Sequence, residues 1–431
     1  MTTLSNLDKR MIWHPFTQEK TAPNVIDIKK ASGSYIYDQN NKAYLDLISS
    51  WWVNIHGHCN IEIANSIYEQ AKTLEHVIFA GFTHEAAINL CKALRTILPP
   101  KLTKFFFSDN GSTAVEVAIK MAYQYWHNLG YKGKSIFLSF EGGYHGDTFG
   151  AMSVGMESGF NTQFKELFFK VLAIPYADTW DGDLEIEVKE RKAIKVLQEY
   201  LTQYQGKIAA IILEPLIQGA KGMRICRTEF LQNIIKLIRQ NNILVIFDEV
   251  MTGFGRTGTY FALDQLSGIV PDFLCLSKGI TGGFLPLALT ITNDDIYAAF
   301  LGDDFNTAFA HGHSYTANPL ACSAAIASFN LLMKRECKTA IQNINSVHHT
   351  GIKFLKEKCK LIEKFRIIGT ICAFDIKAKN LMTIMKARFL DEGLLLRPLS
   401  NTIYLLPPYC VSREELENAY DKIAEIINSL E

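Results

Sequence analysis

Six short runs of almost unbroken apolar residues punctuate the middle of the chain: KFFFSD (104–109), SIFLSF (135–140), KIAAIILEP (207–215), ILVIFDEV (243–250), DFLCLS (272–277) and LALTITN (287–293). Each has the length of a strand, and strands apolar on both faces fit a parallel sheet covered by helices. Between them, STAVEVAIKMAYQYWHNLG and TEFLQNIIKLIRQNN space apolar residues three and four apart, as helices with one buried face do, and Gly130 closes the first. The alternation predicts a large α/β domain.

The flanks have a different rhythm. GSYIYDQNNKAYLDL, within residues 20–50, is an alternating strand, an Asn-Asn turn and a second strand, which predicts a hairpin. After residue 330, FRIIGTICAFDI alternates, a helix follows, then LLLRP and IYLLP, and finally SREELENAYDKIAEIINSL, opened by a capping box from Ser412 to Glu415. The two ends are expected to meet in a smaller α+β domain. Residues 1–55 and 331–431 would form its two parts, with 56–330 as the large domain. Internal repeats, low-complexity tracts and long linkers are absent from the sequence.

Composition narrows the partners. The 431 residues allow two or three domains of about 150 residues each. Lys plus Arg and Asp plus Glu both number 44, so no global field favours nucleic acid or an anionic membrane, and small molecules are the expected partners. Hydrophobic residues make up 48%, which can bury enough surface to offset chain entropy and argues against extended disorder. The nine cysteines are scattered without a Cys-x-x-Cys pair, so free thiols in a reducing compartment are expected, with neither a disulfide framework nor a metal site. The N-terminus lacks a signal-peptide pattern, and no apolar run approaches the roughly 18 residues of a membrane span. A cytoplasmic protein is expected.

The candidate chemistry sits at strand ends. Asp248 ends ILVIFD and Lys278 follows DFLCLS. Open parallel sheets bind ligands beyond the carboxyl ends of their strands, so both side chains are expected in one crevice. Such a pair suits pyridoxal 5'-phosphate, which needs a lysine for its Schiff base and an acid facing the pyridine nitrogen to keep the ring an electron sink. Taken alone, the two also read as ordinary charges at strand ends. A phosphate-loop role for Lys278 is weaker, because its glycines follow it and no Gly-x-x-x-x-Gly-Lys precedes it. A phosphate needs another seat, and Gly111 and Ser112 at the start of a helix offer backbone N–H groups and a favourable dipole, though the same feature is an ordinary helix cap. In EGGYHGDT, Tyr144 is placed to stack on a planar ring or to be an exposed loop residue, and His145 reads as a structural histidine. The loop HGHSYTANPLACSAA brings hydroxyls that could also reach a phosphate.

The order of these features carries more than any one of them. An anion turn, GGYHGD, EP, DEVMTGFGRTG, LSKG and HGHSYTANPLA, in that sequence, resembles the class III (ω-amino acid type) aminotransferases of pyridoxal phosphate fold type I, from about residue 10 to 410. IWHPFTQ, SSWWVNIHGH (49–58), YHGDTFGAMSVG (144–155), LLLRP and IYLLPPY narrow the resemblance further.

The resemblance implies a large domain with a mostly parallel seven-stranded sheet, a smaller α+β domain from both chain ends, and a PLP-dependent transaminase. Lys278 would form the Schiff base and, desolvated, move the proton; Asp248 would face the ring nitrogen. Gly111 and Ser112 would bind the phosphate and Tyr144 would stack on the ring. Ser314 would complete a neighbouring subunit's phosphate site, which implies a homodimer with shared active sites. Arg397 would pair with a substrate carboxylate. Trp51 and Trp52 would wall the substrate channel; Asp147, Arg256, Gly312 and Tyr404 would line it. Core packing for the tryptophans and a structural role for Arg256 stay open. The implied reaction converts 8-amino-7-oxononanoate to 7,8-diaminononanoate in biotin biosynthesis, with S-adenosylmethionine as amino donor. Phe16 stands where many members have Tyr, so lysine is the alternative donor. Another ω-amino acid transaminase, or a nucleotide-binding protein without turnover, is the alternative function.

Overall fold

In the computed structural model, which describes residues 4–155, 158–377 and 382–430, all six apolar runs are strands of one sheet. Parts of the expected segments that fall on residues 1–3, 156–157, 378–381 and 431 lie outside the described residues. The seventh strand is Val171–Ile174, a run too short to stand out in the apolar pattern. The spatial order is Lys104–Ser108, Ala288–Thr292, Phe273–Leu276, Leu244–Asp248, Ile208–Leu213, Ile136–Phe140 and Val171–Ile174. Only Ala288–Thr292 runs against its neighbours; every other pairing is parallel.

Burial on both faces explains the unbroken apolar runs. Val245, Phe247, Leu274 and Leu276 pack into the same core as the Phe230, Leu231, Ile234, Ile235 and Ile238 face of helix Thr228–Gln240. The alternate residues Leu244, Ile246, Phe273 and Cys275 pack with Ala114, Val115, Ala118 and Ala122 of helix Gly111–Asn128. With successive side chains on opposite faces, two buried faces leave no room for polar alternation.

The chain ends do come together. Ile28–Ser32, Tyr35–Asp38 and Ala43–Asp46 form antiparallel strands around the expected Asn-Asn turn, where Asp38 Oδ1 accepts the N–H groups of Asn40 and Lys42 at 2.9 Å. The short strand Leu394–Leu395 joins this sheet parallel to Ala43–Asp46. Ile362–Ile368, Ile371–Ile376 and Thr402–Leu405 make a third, antiparallel sheet. Leu406 N donates to Leu47 O at 2.7 Å and Tyr409 N to Ile55 O at 2.8 Å, stitching residues 47–55 to 406–409. The last helix, Arg413–Asn428, opens with the expected box: Glu415 N donates to Ser412 Oγ and Ser412 N to Glu415 Oε2. All nine cysteines are free. Among the described residues no helix is long and apolar enough to cross a membrane, and no group of three or more His, Cys, Asp or Glu could hold a metal ion.

Candidate active site

Five parallel strands end beside one cavity of about 610 Å³, and the residues just past their carboxyl ends line it: Asp109 to Ser112, Tyr144 to Asp147, Glu214, Asp248 and Lys278. The carboxyl-end position is where an open sheet collects ligand-binding groups. Residues from the two chain ends close it, with Phe16, Trp51 and Trp52 from one and Arg397, Leu399 and Tyr404 from the other.

Lys278 follows its strand in a left-handed backbone conformation, φ +45°. Its amine has no hydrogen-bond partner among the described residues and lies 4.7 Å from the centre of the Trp52 ring. Burial lowers its pKa from the usual lysine value, while the charges of Asp248 and Glu214 oppose that shift. The glycines after it serve close approach. A side chain on Gly282, at φ +64°, would fall 2.9 Å from Ile63, and one on Gly283, at φ +88°, would fall 3.2 Å from the backbone of Asn54.

Asp248 is held by His145, whose Nδ1 lies 2.7 Å from Asp248 Oδ2, while Val250 N donates to the other oxygen. Both side chains are almost wholly buried. His145 thus has a second reading beyond the structural histidine expected from sequence, because its carboxylate partner is the site's own. Glu214 is a further residue that sequence reasoning left without a role. It is buried, accepts Tyr144 N at 3.2 Å and Gly219 N at 2.9 Å, and burial pushes its carboxyl up to about 7. A lone acid closing the apolar strand KIAAIILEP was the available signal, the same one that singled out Asp248.

The expected anion seat is the start of helix Gly111–Asn128. Asn110 caps it by accepting Thr113 N, and the N–H groups of Gly111 and Ser112 belong to the first turn, which a helix leaves without partners of its own. A side chain on Gly111 would fall 2.7 Å from Val250, and one on Gly146 only 2.2 Å from Ser112 Oγ. These two glycines let three loops converge. Tyr144 donates to Asp147 Oδ2 at 2.8 Å, and burial holds its phenol well above the usual range, so it stays a donor.

Each tryptophan carries a cation. The Arg397 guanidinium lies 4.3 Å from the centre of the Trp51 ring, and Trp52, beneath Lys278, donates from Nε1 to Tyr404 Oη at 3.0 Å. Phe16 stands edge-on to Trp51 and to Phe160, with ring centres 5.7 Å apart in both cases.

Two residues expected to line the channel, Arg256 and Gly312, are not in the cavity, and Ser314, expected at a neighbouring subunit's site, is outside it too. Arg256 is 1% exposed and donates to Pro407 O at 2.9 Å and Trp52 O at 3.4 Å, so it braces the wall from behind instead of lining it. Its DEVMTGFGRTG loop turns it toward the carbonyls that join the two chain ends. Gly312 and Ser314 are exposed in a loop outside this chain's cavity.

A buried amine with a lowered pKa, a carboxylate held by a histidine, a phenol and a helix start in one cavity fit the phosphate, ring and aldehyde of pyridoxal phosphate. The sequence profile described as Aminotransferase class-III matches residues 16–427. The chain belongs to this family. It is 48% identical over 425 residues to adenosylmethionine-8-amino-7-oxononanoate aminotransferase of Synechococcus elongatus, covering 97% of this chain and 99% of that one. To the enzyme of the same name from Helicobacter pylori it is 40% identical, covering 99% and 98%. Among class III folds of known structure, the Methanocaldococcus jannaschii enzyme of that name superposes with a TM-score of 0.92 at 36% identity, covering 99% of this chain and 98% of that one. An amine transaminase from an uncultivated Pseudomonas species in its PLP-bound form superposes at 0.90 with 28% identity, covering 97% and 98%.

Proposed function

We propose that the protein is a pyridoxal-phosphate-dependent aminotransferase of biotin biosynthesis that converts 8-amino-7-oxononanoate to 7,8-diaminononanoate with S-adenosylmethionine as amino donor. The observation that carries this reading is the sharing of one cavity by Lys278, the His145–Asp248 pair and Arg397, in a chain whose full-length relatives bear that activity in their names.

Gly111 and Ser112 would hold the cofactor's phosphate, Tyr144 its ring, Asp248 its ring nitrogen and Lys278 its aldehyde carbon. When bound, pyridoxal phosphate supplies an electron sink for the negative charge that develops at the carbon losing a proton. Lys278 Nζ, its pKa lowered by desolvation, takes that proton from the carbon bearing the departing amine. Asp248 would face the ring nitrogen, and His145 prevents its carboxylate from turning away. Arg397, 4.3 Å from the centre of the Trp51 ring, offers paired N–H donors to the substrate carboxylate. Trp52, Tyr404 and Asp147 complete the wall around the reacting carbon.

Ser314 and Gly312 act across a subunit boundary in this reading: the protein is a cytoplasmic homodimer, and the exposed loop carrying them faces the phosphate of a second copy. Lys278→Ala abolishes transamination and the yellow absorbance of lysine-bound cofactor; near-normal turnover by that variant refutes the assignment. Phe16 favours one other reading, lysine as donor, because no hydroxyl stands at that point of the aromatic mouth. Turnover of 8-amino-7-oxononanoate with each donor in separate assays decides between them.

A further inference from the structure

Asp46 is wholly buried at the end of strand Ala43–Asp46, and it touches neither the cavity nor any residue given a catalytic role. Its carboxylate gathers four donors. Oδ1 accepts from Ile48 N at 3.3 Å and Ser50 N at 2.9 Å; Oδ2 accepts from Ser50 Oγ at 3.0 Å and faces His58 Nε2 at 2.9 Å. The segment it holds has an unusual backbone. Ser49, Ser50 and Trp52 all lie at positive φ, 49°, 61° and 68°, and Ser50 pairs its φ with ψ −68°, the strained form of the γ-turn. No glycine relieves these positions, and such a conformation persists only where its surroundings over-determine it. Both hydrogen bonds that hold Ser50 go to Asp46.

The turn ends in the two tryptophans that wall the site. Trp52 lies under the Lys278 amine and Trp51 under the Arg397 guanidinium, so a rotation of the Ser50 peptide displaces both rings and both cations. We propose that Asp46 is a positioning residue of the active site, whose buried carboxylate clamps the Ser49–Trp52 turn and thereby sets Trp51 against Arg397 and Trp52 against Lys278. For the substrate affected, the proposal rests on the function assigned above.

The test uses the holoenzyme with Asp46→Asn, an isosteric change that leaves one acceptor oxygen and turns an NH₂ toward a donor. The KM for 8-amino-7-oxononanoate rises about tenfold and kcat falls with it, as expected when the Arg397 wall and the ring beneath Lys278 move together. Intrinsic tryptophan emission shifts with it. Adding Ser50→Gly, which takes the same backbone angles at little steric cost, returns both readouts toward wild type. A wild-type KM and emission in Asp46→Asn, a lowered melting temperature with unchanged KM, or no rescue by Ser50→Gly overturns the proposal. Should Asp46→Asn fail to fold, Ser50→Ala removes only the hydroxyl bond and gives a smaller shift in the same direction; an unchanged KM and emission there overturns it equally. If the wild-type enzyme does not turn over 8-amino-7-oxononanoate, the functional reading fails, and the emission and rescue results still decide the role of Asp46.

Discussion

Glu214→Gln sets two effects of known sign against each other. The carboxylate accepts one N–H on each oxygen, from Tyr144 at 3.2 Å and from Gly219 at 2.9 Å. A glutamine can satisfy only one, and the shorter bond to Gly219 keeps the amide oxygen. The Tyr144 N–H then loses its acceptor, at a cost of about 1–3 kcal/mol. Against this stands the buried charge. Burial raises the carboxyl from 4.5 to about 7, so the folded state binds the proton more tightly than the unfolded state, and wild-type stability falls as pH rises from about 4.5 through 7. Between pH 6 and 8 the wild-type loss from this group is about 1.3 kcal/mol, a loss that glutamine does not share. Urea denaturation of both proteins at the two pH values reads the difference, with other titrating groups cancelling between them. The variant gains about 1.3 kcal/mol on wild type from pH 6 to pH 8. Its affinity for pyridoxal phosphate falls at both, because the Tyr144 loop is untethered. A stability difference independent of pH refutes the raised carboxyl, and unaltered cofactor affinity refutes the tether.

Arg397→Ala raises the KM for 8-amino-7-oxononanoate about ten- to a hundredfold, the value of a hydrogen-bonded charge pair, and Arg397→Lys recovers only part because an ammonium lacks the paired donors and the flat face on Trp51; steady-state kinetics with an unchanged KM removes Arg397 from the site. His348 is buried between Tyr420 Oη at 2.8 Å and Thr370 O at 3.0 Å, and burial lowers it from 6.5 to about 4. The unfolded chain takes up that proton first as pH falls below about 6.5, so wild type loses about 2 kcal/mol between pH 7 and 5 that His348→Gln does not lose, and parallel denaturation curves for the two proteins contradict this.

The sheet was legible because burial on two faces writes itself into sequence as unbroken apolar runs, six of them here. Val171–Ile174 escaped because an edge strand of four residues, three of them half-buried, carries too little of that signal. At the site, Lys278 and Asp248 were legible as polar residues that terminate apolar strands, a position where burial without function is costly. His145 and Arg256 were not, for opposite reasons. A histidine's role depends on the partner across the crevice, which lies 103 positions away in sequence. An arginine among glycines looks poised for a ligand, and only the folded chain turns it onto the carbonyls of Trp52 and Pro407. The Asp46 clamp was invisible for a third reason: no residue type marks it, since the turn it holds lacks the glycines that normally announce positive φ.

The balance of charge around the cavity argues for a shared site. Of its described lining residues, Asp109, Asp147, Glu214 and Asp248 are acidic, and Lys278 and Arg397 are the only Lys or Arg. In the proposed reaction the first is committed to the aldehyde carbon and the second to the substrate carboxylate. The phosphate, with a charge of about −1.5 to −2, is left with the start of one helix, worth roughly half a positive charge. Asp109, two residues before that helix, opposes it even with its oxygen engaged by Thr113 Oγ1 and Asn110 Nδ2. In the proposed homodimer further donors would come from outside this chain's own cavity, and the exposed loop with Ser314 is an element of the same sequence that offers a hydroxyl. In that proposal one chain would supply the amine and the ring-facing groups, and the second chain would help balance the phosphate.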